Sequence, residues 1–192
     1  LMRPSLRGGN DNPGKGECFL GEVDDILAAA EFLTTRSDVD PKRIYLGGHS
    51  TGGTLALLAA ASSARFRAVF AFGPVADARQ YGDSGCLPQN ASDAEAAPRA
   101  VVDFLKDVRT PTFVIEGEHG NLGVFPFLRE AKKAASVELV TIPGANHFSA
   151  VFPASAALAE QIMAAPGPPP RFPLAVAAIG KRAADNAAAA TK

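Results

Sequence analysis

The sequence predicts an α/β protein: a parallel sheet with helices on both faces. Three observations carry this. Short β-branched and aromatic runs alternate along the chain with amphipathic or alanine-rich runs of helical period. Gly, Pro and Asp punctuate the boundaries between them. A chain of 192 residues, 47% of them hydrophobic, can bury one substantial core, so one domain is the default.

The elements follow in order. Residues 1–12 read as the end of a strand running into a Gly/Asn/Pro-rich loop. Residues 22–34 are predicted helical because Val23, Ile26, Leu27, Ala30 and Leu33 form one stripe. Asp40-Pro41 breaks the chain before a strand at 43–47, and residues 55–61 continue as a helix of strong helix formers. A buried-type strand at 67–72 is closed by Gly73-Pro74, and the polar stretch 81–97 is irregular. A short helix at 100–108 precedes Pro111, which opens a strand at 112–116. A helix at 124–135 and a strand at 137–142 lead into the loop Pro143-Gly144-Ala145-Asn146, which carries His147. Residues 154–164 form the last well-patterned helix. That makes four strands, with a fifth expected at the amino end.

The domain is expected to span residues 1–164. Residues 165–192 form a Pro/Ala-rich tail, in which the run Pro166-Gly167-Pro168-Pro169-Pro170 ends helical continuity. Residues 174–190 carry only a thin apolar stripe and are expected to be a loosely packed appendage.

Composition narrows the partners. The formal net charge is −1, which points to neither nucleic acid nor an anionic membrane surface. No apolar run reaches transmembrane length and the first residues do not form a signal peptide, so a cytoplasmic location is the default expectation. The first residue is Leu1 rather than Met, so the chain is read as a processed product or a piece of a longer protein. Cys18 and Cys86 are expected as two free thiols, with a disulfide between them as the alternative. Oligomeric state is open.

The chemistry concentrates in the run Arg43-Ile44-Tyr45-Leu46-Gly47-Gly48-His49-Ser50-Thr51-Gly52-Gly53. It reads as strand, Gly-x-Ser-x-Gly, helix, the context a nucleophile elbow requires. A serine hydroxyl is a weak nucleophile that must be exposed, aligned and deprotonated. A sharp turn exposes Ser50 above the sheet edge, Gly48 and Gly52 relieve its crowding, and the Thr51 N–H points where an oxyanion would form. Ligands on parallel sheets sit at the carboxyl ends of strands. Ser50, the 116–118 region and His147 each follow a strand and so converge on one edge.

Taken together, these features resemble an α/β-hydrolase, nearest the prolyl-oligopeptidase or dienelactone-hydrolase-like branch. Arg7-Gly8-Gly9-Asn10 resembles the Arg-Gly loop after the fourth strand of such domains. Val39-Asp40-Pro41-Lys42-Arg43-Ile44 resembles their lead-in to the elbow strand. Pro98, the run from Arg109 to Ile115, and Gly117 resemble the approach to their acid-bearing strand. Gly144-Ala145-Asn146-His147-Phe148 resembles their histidine loop. The resemblance covers residues 3–164 and departs in two places. It implies three further strands ahead of this chain, with the loop that normally supplies the second oxyanion donor. It also implies an aspartate at the position held here by Gly120.

His147 is the expected base, able to take the Ser50 proton and return it to the leaving group. The acid that orients it is expected to be Glu118, with Glu116 and Asp77 as alternatives; Asp77 can equally cap the turn after Gly73-Pro74. His49 is expected to pack beside the strand, with substrate contact as the alternative, and His119 to lie on a surface loop. The histidine and cysteine spacings argue against a metal site, and Gly8-Gly9 fits no nucleotide fingerprint, so no cofactor is expected. The resulting expectation is a serine hydrolase cleaving a small-molecule ester or a peptide bond through an acyl-enzyme. The alternative is a truncated or inactive hydrolase-fold domain. The 81–97 stretch lies where a cap would shape the pocket.

Overall fold

The computed structural model describes residues 1–132, 136–164, 179–183 and 185. Four strands, β1 (Tyr45–His49), β2 (Ala68–Phe72), β3 (Thr112–Gly117) and β4 (Val137–Ile142), form one sheet in the order β1-β2-β3-β4. All three pairings are parallel, with Gly48 opposite Ala71, Ala71 opposite Val114 and Val114 opposite Leu139. Between and around them lie α1 (Gly21–Thr34), α2 (Thr51–Ser62), α3 (Asp93–Ala96), α4 (Val101–Phe104), α5 (Phe125–Ala131) and α6 (Val151–Ala164).

The period-2 alternation of the strands splits the core in two. On one face Val69, Ala71, Val114 and Val137 pack with Leu57 and Ala59 of α2, Val101 of α4 and Leu128 of α5. On the other, Phe70, Phe72, Phe113, Ile115 and Val140 pack with Ala154 and Leu158 of α6. All five residues of β2 are buried, as a central strand covered on both faces requires.

Several expectations change. The amino-terminal strand does not form: residues 1–6 join no ladder, and positive φ at Gly8, Asn10 and Asp11 makes the following segment a tight loop. Among the described residues, β1 is therefore an edge strand with β2 as its one neighbour. The elbow strand starts two residues later than its apolar pattern suggests and runs up to Ser50. Residues 97–108 break into two short 3₁₀ turns around α4 rather than one helix.

The cysteines are not free thiols: Cys18 and Cys86 form a disulfide across 68 residues of sequence. The loop before α1 folds against the segment after β2, a proximity that no local pattern encodes. That loop is also tied down by Arg7, whose guanidinium and backbone N–H bind Asp25 of α1 and whose side chain reaches Glu17. The guanidinium holds the Asp25 carboxyl below its ordinary value. Of the tail, the proline run and most of residues 174–190 lie outside the described residues. Within the described part, Ile179 and Ala183 are buried in the second core, so this short helical piece is packed rather than loosely attached.

Helix α2 lies so close to β2 that a Cβ at Gly53 would sit 2.5 Å from the Phe72 carbonyl oxygen. Gly53→Ala should therefore overpack the strand–helix contact at a cost of roughly 1–3 kcal/mol and lower the melting midpoint by about 5 °C. An unchanged melt would mean that α2 is free to shift on the sheet.

Candidate active site

Ser50 joins β1 to α2 with φ 56° and ψ −116°, a conformation that L-residues rarely adopt. Three bonds hold it there. Its N–H donates to the Phe72 carbonyl at 2.8 Å, and its carbonyl accepts from the N–H groups of Gly53 and Thr54 at 2.9 and 3.0 Å. A side chain at Gly48 would run into the Gly52 carbonyl, so glycine there permits the turn. Thr51 is the first residue of α2, and its N–H belongs to the helix-terminal donors that have no partner within a helix. The strain observed at Ser50 is what a nucleophile elbow stores.

His147 lies in the loop between β4 and α6. Its Nδ1 is 3.0 Å from Oε2 of Glu116. Glu116 is the next-to-last residue of β3, and its side chain is 1% exposed. A carboxylate this deep is costly unless its oxygens are hydrogen-bonded. Both are: Oε2 by His147, and Oε1 by the Gly117 N–H at 2.7 Å. Two glycines make the space. A side chain at Gly73, which has φ 54°, would collide with the His147 ring, and one at Gly120 would collide with the Glu116 carboxylate. With Nδ1 held by Glu116, Nε2 is the nitrogen left for proton transfer. Ser50 and His147 do not hydrogen-bond to each other; catalytic hydrogen bonds commonly tighten only in the complex with substrate.

His49, the last residue of β1, braces the His147 loop. Its Nε2–H donates to the His147 carbonyl at 3.1 Å, and the two rings lie 4.5 Å apart. Phe148 packs edge-on against both rings. Burial holds the His49 imidazole below its ordinary value, which keeps it neutral at pH 7. The Tyr81 hydroxyl lies 2.7 Å from Oγ1 of Thr54, which in turn accepts the Val75 N–H at 3.1 Å. Burial pushes the Tyr81 hydroxyl up to about 12, moderated by the hydroxyls of Thr54 and Ser50, so it stays a neutral donor beside the serine.

The acid expected first is not the one brought to the histidine. Glu118 lies beyond the end of β3, exposed, and its Oε2 accepts the Gly144 N–H at 2.8 Å, pinning the loop that leads to His147. Asp77 caps the turn after β2, accepting the Arg79 N–H and pairing with its guanidinium. Glu116, the second choice, occupies the position, because the missing side chain at Gly120 leaves room for a carboxylate arriving from the strand. His119 is exposed on its loop, its N–H bonded to the Ala145 carbonyl. Tyr81 had no assigned role in the sequence; its one signal is an aromatic residue placed soon after the carboxyl end of a strand. Among the described residues, no three His, Cys, Asp or Glu side chains are grouped to hold a metal, and no helix is long and apolar enough to cross a membrane.

Comparison with known proteins agrees with this architecture. Residues 12–164 match the prolyl oligopeptidase family. No curated protein matches the chain. Among solved structures, the α/β hydrolase GrgF from Penicillium sp. sh18 aligns over 83% of this chain and 76% of its own, at 17% identity and a TM-score of 0.63. A puromycin-hydrolyzing peptidase from Mycobacterium tuberculosis aligns over 81% of this chain and 27% of its own, at 20% identity and a TM-score of 0.61. The 2,6-dihydroxy-pseudo-oxynicotine hydrolase aligns over 68% of this chain and 42% of its own, at 22% identity and a TM-score of 0.54. At these identities the structures share the fold, and this chain spans less than half of the latter two. With the family match covering the elbow, the acid-bearing strand and the histidine loop, the chain belongs to the prolyl oligopeptidase family, on an α/β-hydrolase fold.

Proposed function

We propose that this protein is a serine hydrolase that cleaves an ester or peptide bond through an acyl-enzyme. The observation that carries this is the pairing of His147 with the buried Glu116, at the sheet edge at which Ser50 is held in a strained turn. In this reading Ser50 attacks the substrate carbonyl. Nε2 of His147 takes the serine proton and delivers it to the leaving group, while Glu116 fixes the tautomer and stabilises the imidazolium. The Thr51 N–H donates to the developing oxyanion. Water then enters from the leaving-group side and the steps reverse, releasing the acid and restoring Ser50. His49, neutral, holds the base loop without adding a like charge beside the imidazolium.

One observation favours a second reading, a hydrolase-fold unit without activity by itself: Ser50 and His147 are not hydrogen-bonded. A fluorophosphonate probe separates the two. The active enzyme should be labelled at Ser50, and Ser50→Ala should abolish labelling; a folded protein that is not labelled sinks the first reading.

The acid assignment has its own test. Glu116→Gln should lower kcat/KM for an activated ester by about 10²–10⁴-fold, the range of lost acid–base assistance. Glu118→Gln and Asp77→Asn should stay within about threefold of the parent on the same scale. A large loss confined to Glu118→Gln would return the role to that residue.

A further inference from the structure

Phe148, the residue after His147, is 73% exposed. One exposed apolar side chain on a surface is ordinary and needs no explanation by itself. This one is fixed in place. Its N–H and that of Ser149 both donate to Oδ1 of Asn146 at 2.9 Å, and the Asn146 N–H donates to Oγ of Ser149 at 2.8 Å. Its carbonyl accepts the Val151 N–H at 3.1 Å. Its ring centroid lies 5.0 Å from that of His147 and 5.4 Å from that of His49. With His49 and His147 4.5 Å apart, three rings are in mutual contact beyond the carboxyl end of the sheet.

The other borders of the His147 imidazole are closed. Glu116 holds Nδ1 and is buried. Gly73 is buried and has no side chain. His49 is partly buried, with Nε2 committed to the His147 carbonyl. Of these neighbours, Phe148 alone offers open apolar surface.

The chemical meaning rests on the serine-hydrolase reading above. As the acyl-enzyme forms, the bond from the carbonyl carbon to the leaving group breaks, and its electron pair stays on the departing oxygen or nitrogen. That atom takes the proton from Nε2 of His147 and so lies within about 3 Å of it. A substituent one or two carbons farther out then reaches what borders the imidazole, and the open surface there is the Phe148 ring. An aromatic substituent is favoured on that surface over an alkyl one, because ring pairs attract beyond the area they bury. The hydrogen-bonded backbone of residues 146–149 leaves little ordering to offset the gain.

We propose that Phe148 is the platform for the leaving group. It selects alcohols or amines that carry an aromatic ring one or two carbons from the departing atom.

The test uses the full chain and two esters of N-acetyl-alanine, the 2-phenylethyl and the ethyl ester. They share the acyl group and differ only beyond the departing oxygen. The readout is the ratio of their kcat/KM values within one enzyme, so a general loss of activity cancels. The parent should prefer the 2-phenylethyl ester by about tenfold. Phe148→Leu, which keeps an apolar side chain in the loop, should lower the ratio about threefold, Phe148→Ala about tenfold, and Phe148→Tyr should retain it. Phe127→Leu, at an exposed ring on α5, should leave it unchanged. Binding of 2-phenylethanol, followed by shifts of the His147 ring proton resonances, needs no turnover; it should occur in the parent and be lost in Phe148→Ala. A parent ratio near one would overturn the proposal, as would a ratio that survives Phe148→Ala or falls as far in Phe127→Leu. If a fluorophosphonate leaves Ser50 unlabelled and neither ester turns over, the hydrolase reading fails. A shift that depends on Phe148 would then leave an aromatic-binding site standing, and no shift would overturn both.

Discussion

A carboxylate buried at the end of a central strand sets the terms for the whole carboxyl edge of this sheet. Glu116 is 1% exposed and sits between β2 and β4, where water cannot solvate it. An unpaired charge there would cost several kcal/mol, so its neighbours must supply hydrogen bonds. They do so with one backbone N–H and one imidazole. The position of His147 thus follows from the needs of Glu116 as much as from its own loop. The surrounding glycines follow from both: Gly73 and Gly120 are the places where side chains would occupy the space that the pair fills.

Ser50 is held by a different device. Its strained turn is stabilised by bonds to the Phe72 carbonyl and to the first turn of α2, and by the close approach that Gly48 and Gly53 permit. Strain of this kind, of order 1–3 kcal/mol, persists only where the surroundings over-determine it. Here β2 and α2 do so, through the fully buried strand on one side and the apolar helix on the other. The His49 imidazole links the two devices, since it precedes Ser50 in sequence and bonds the His147 carbonyl in space.

The surface over the amino end of α2 is built by other means. Two irregular segments, the loop before α1 and the turn after β2, meet the first turns of α1 and α2 there and are held by Arg7, by Arg99 and by the disulfide. Loops placed on a rigid sheet can vary without disturbing the chemistry.

By itself the sequence determined the alternation of strands and helices, the parallel sheet, the elbow at Ser50 and the loop carrying His147. These are local signals: hydrophobic period, glycine and proline punctuation, and a motif in its strand-to-helix context. Tertiary structure alone decided that Glu116, and not Glu118, meets His147. Two residues apart on the same strand end, they differ only in which one the sheet buries and which empty volume, at Gly120, faces it. It alone paired Cys18 with Cys86, since proximity across 68 residues is a product of how the loops pack. It also placed Tyr81 beside Ser50, and left residues 1–6 without the ladder that a strand needs, because a strand exists only where a neighbour supplies its hydrogen bonds.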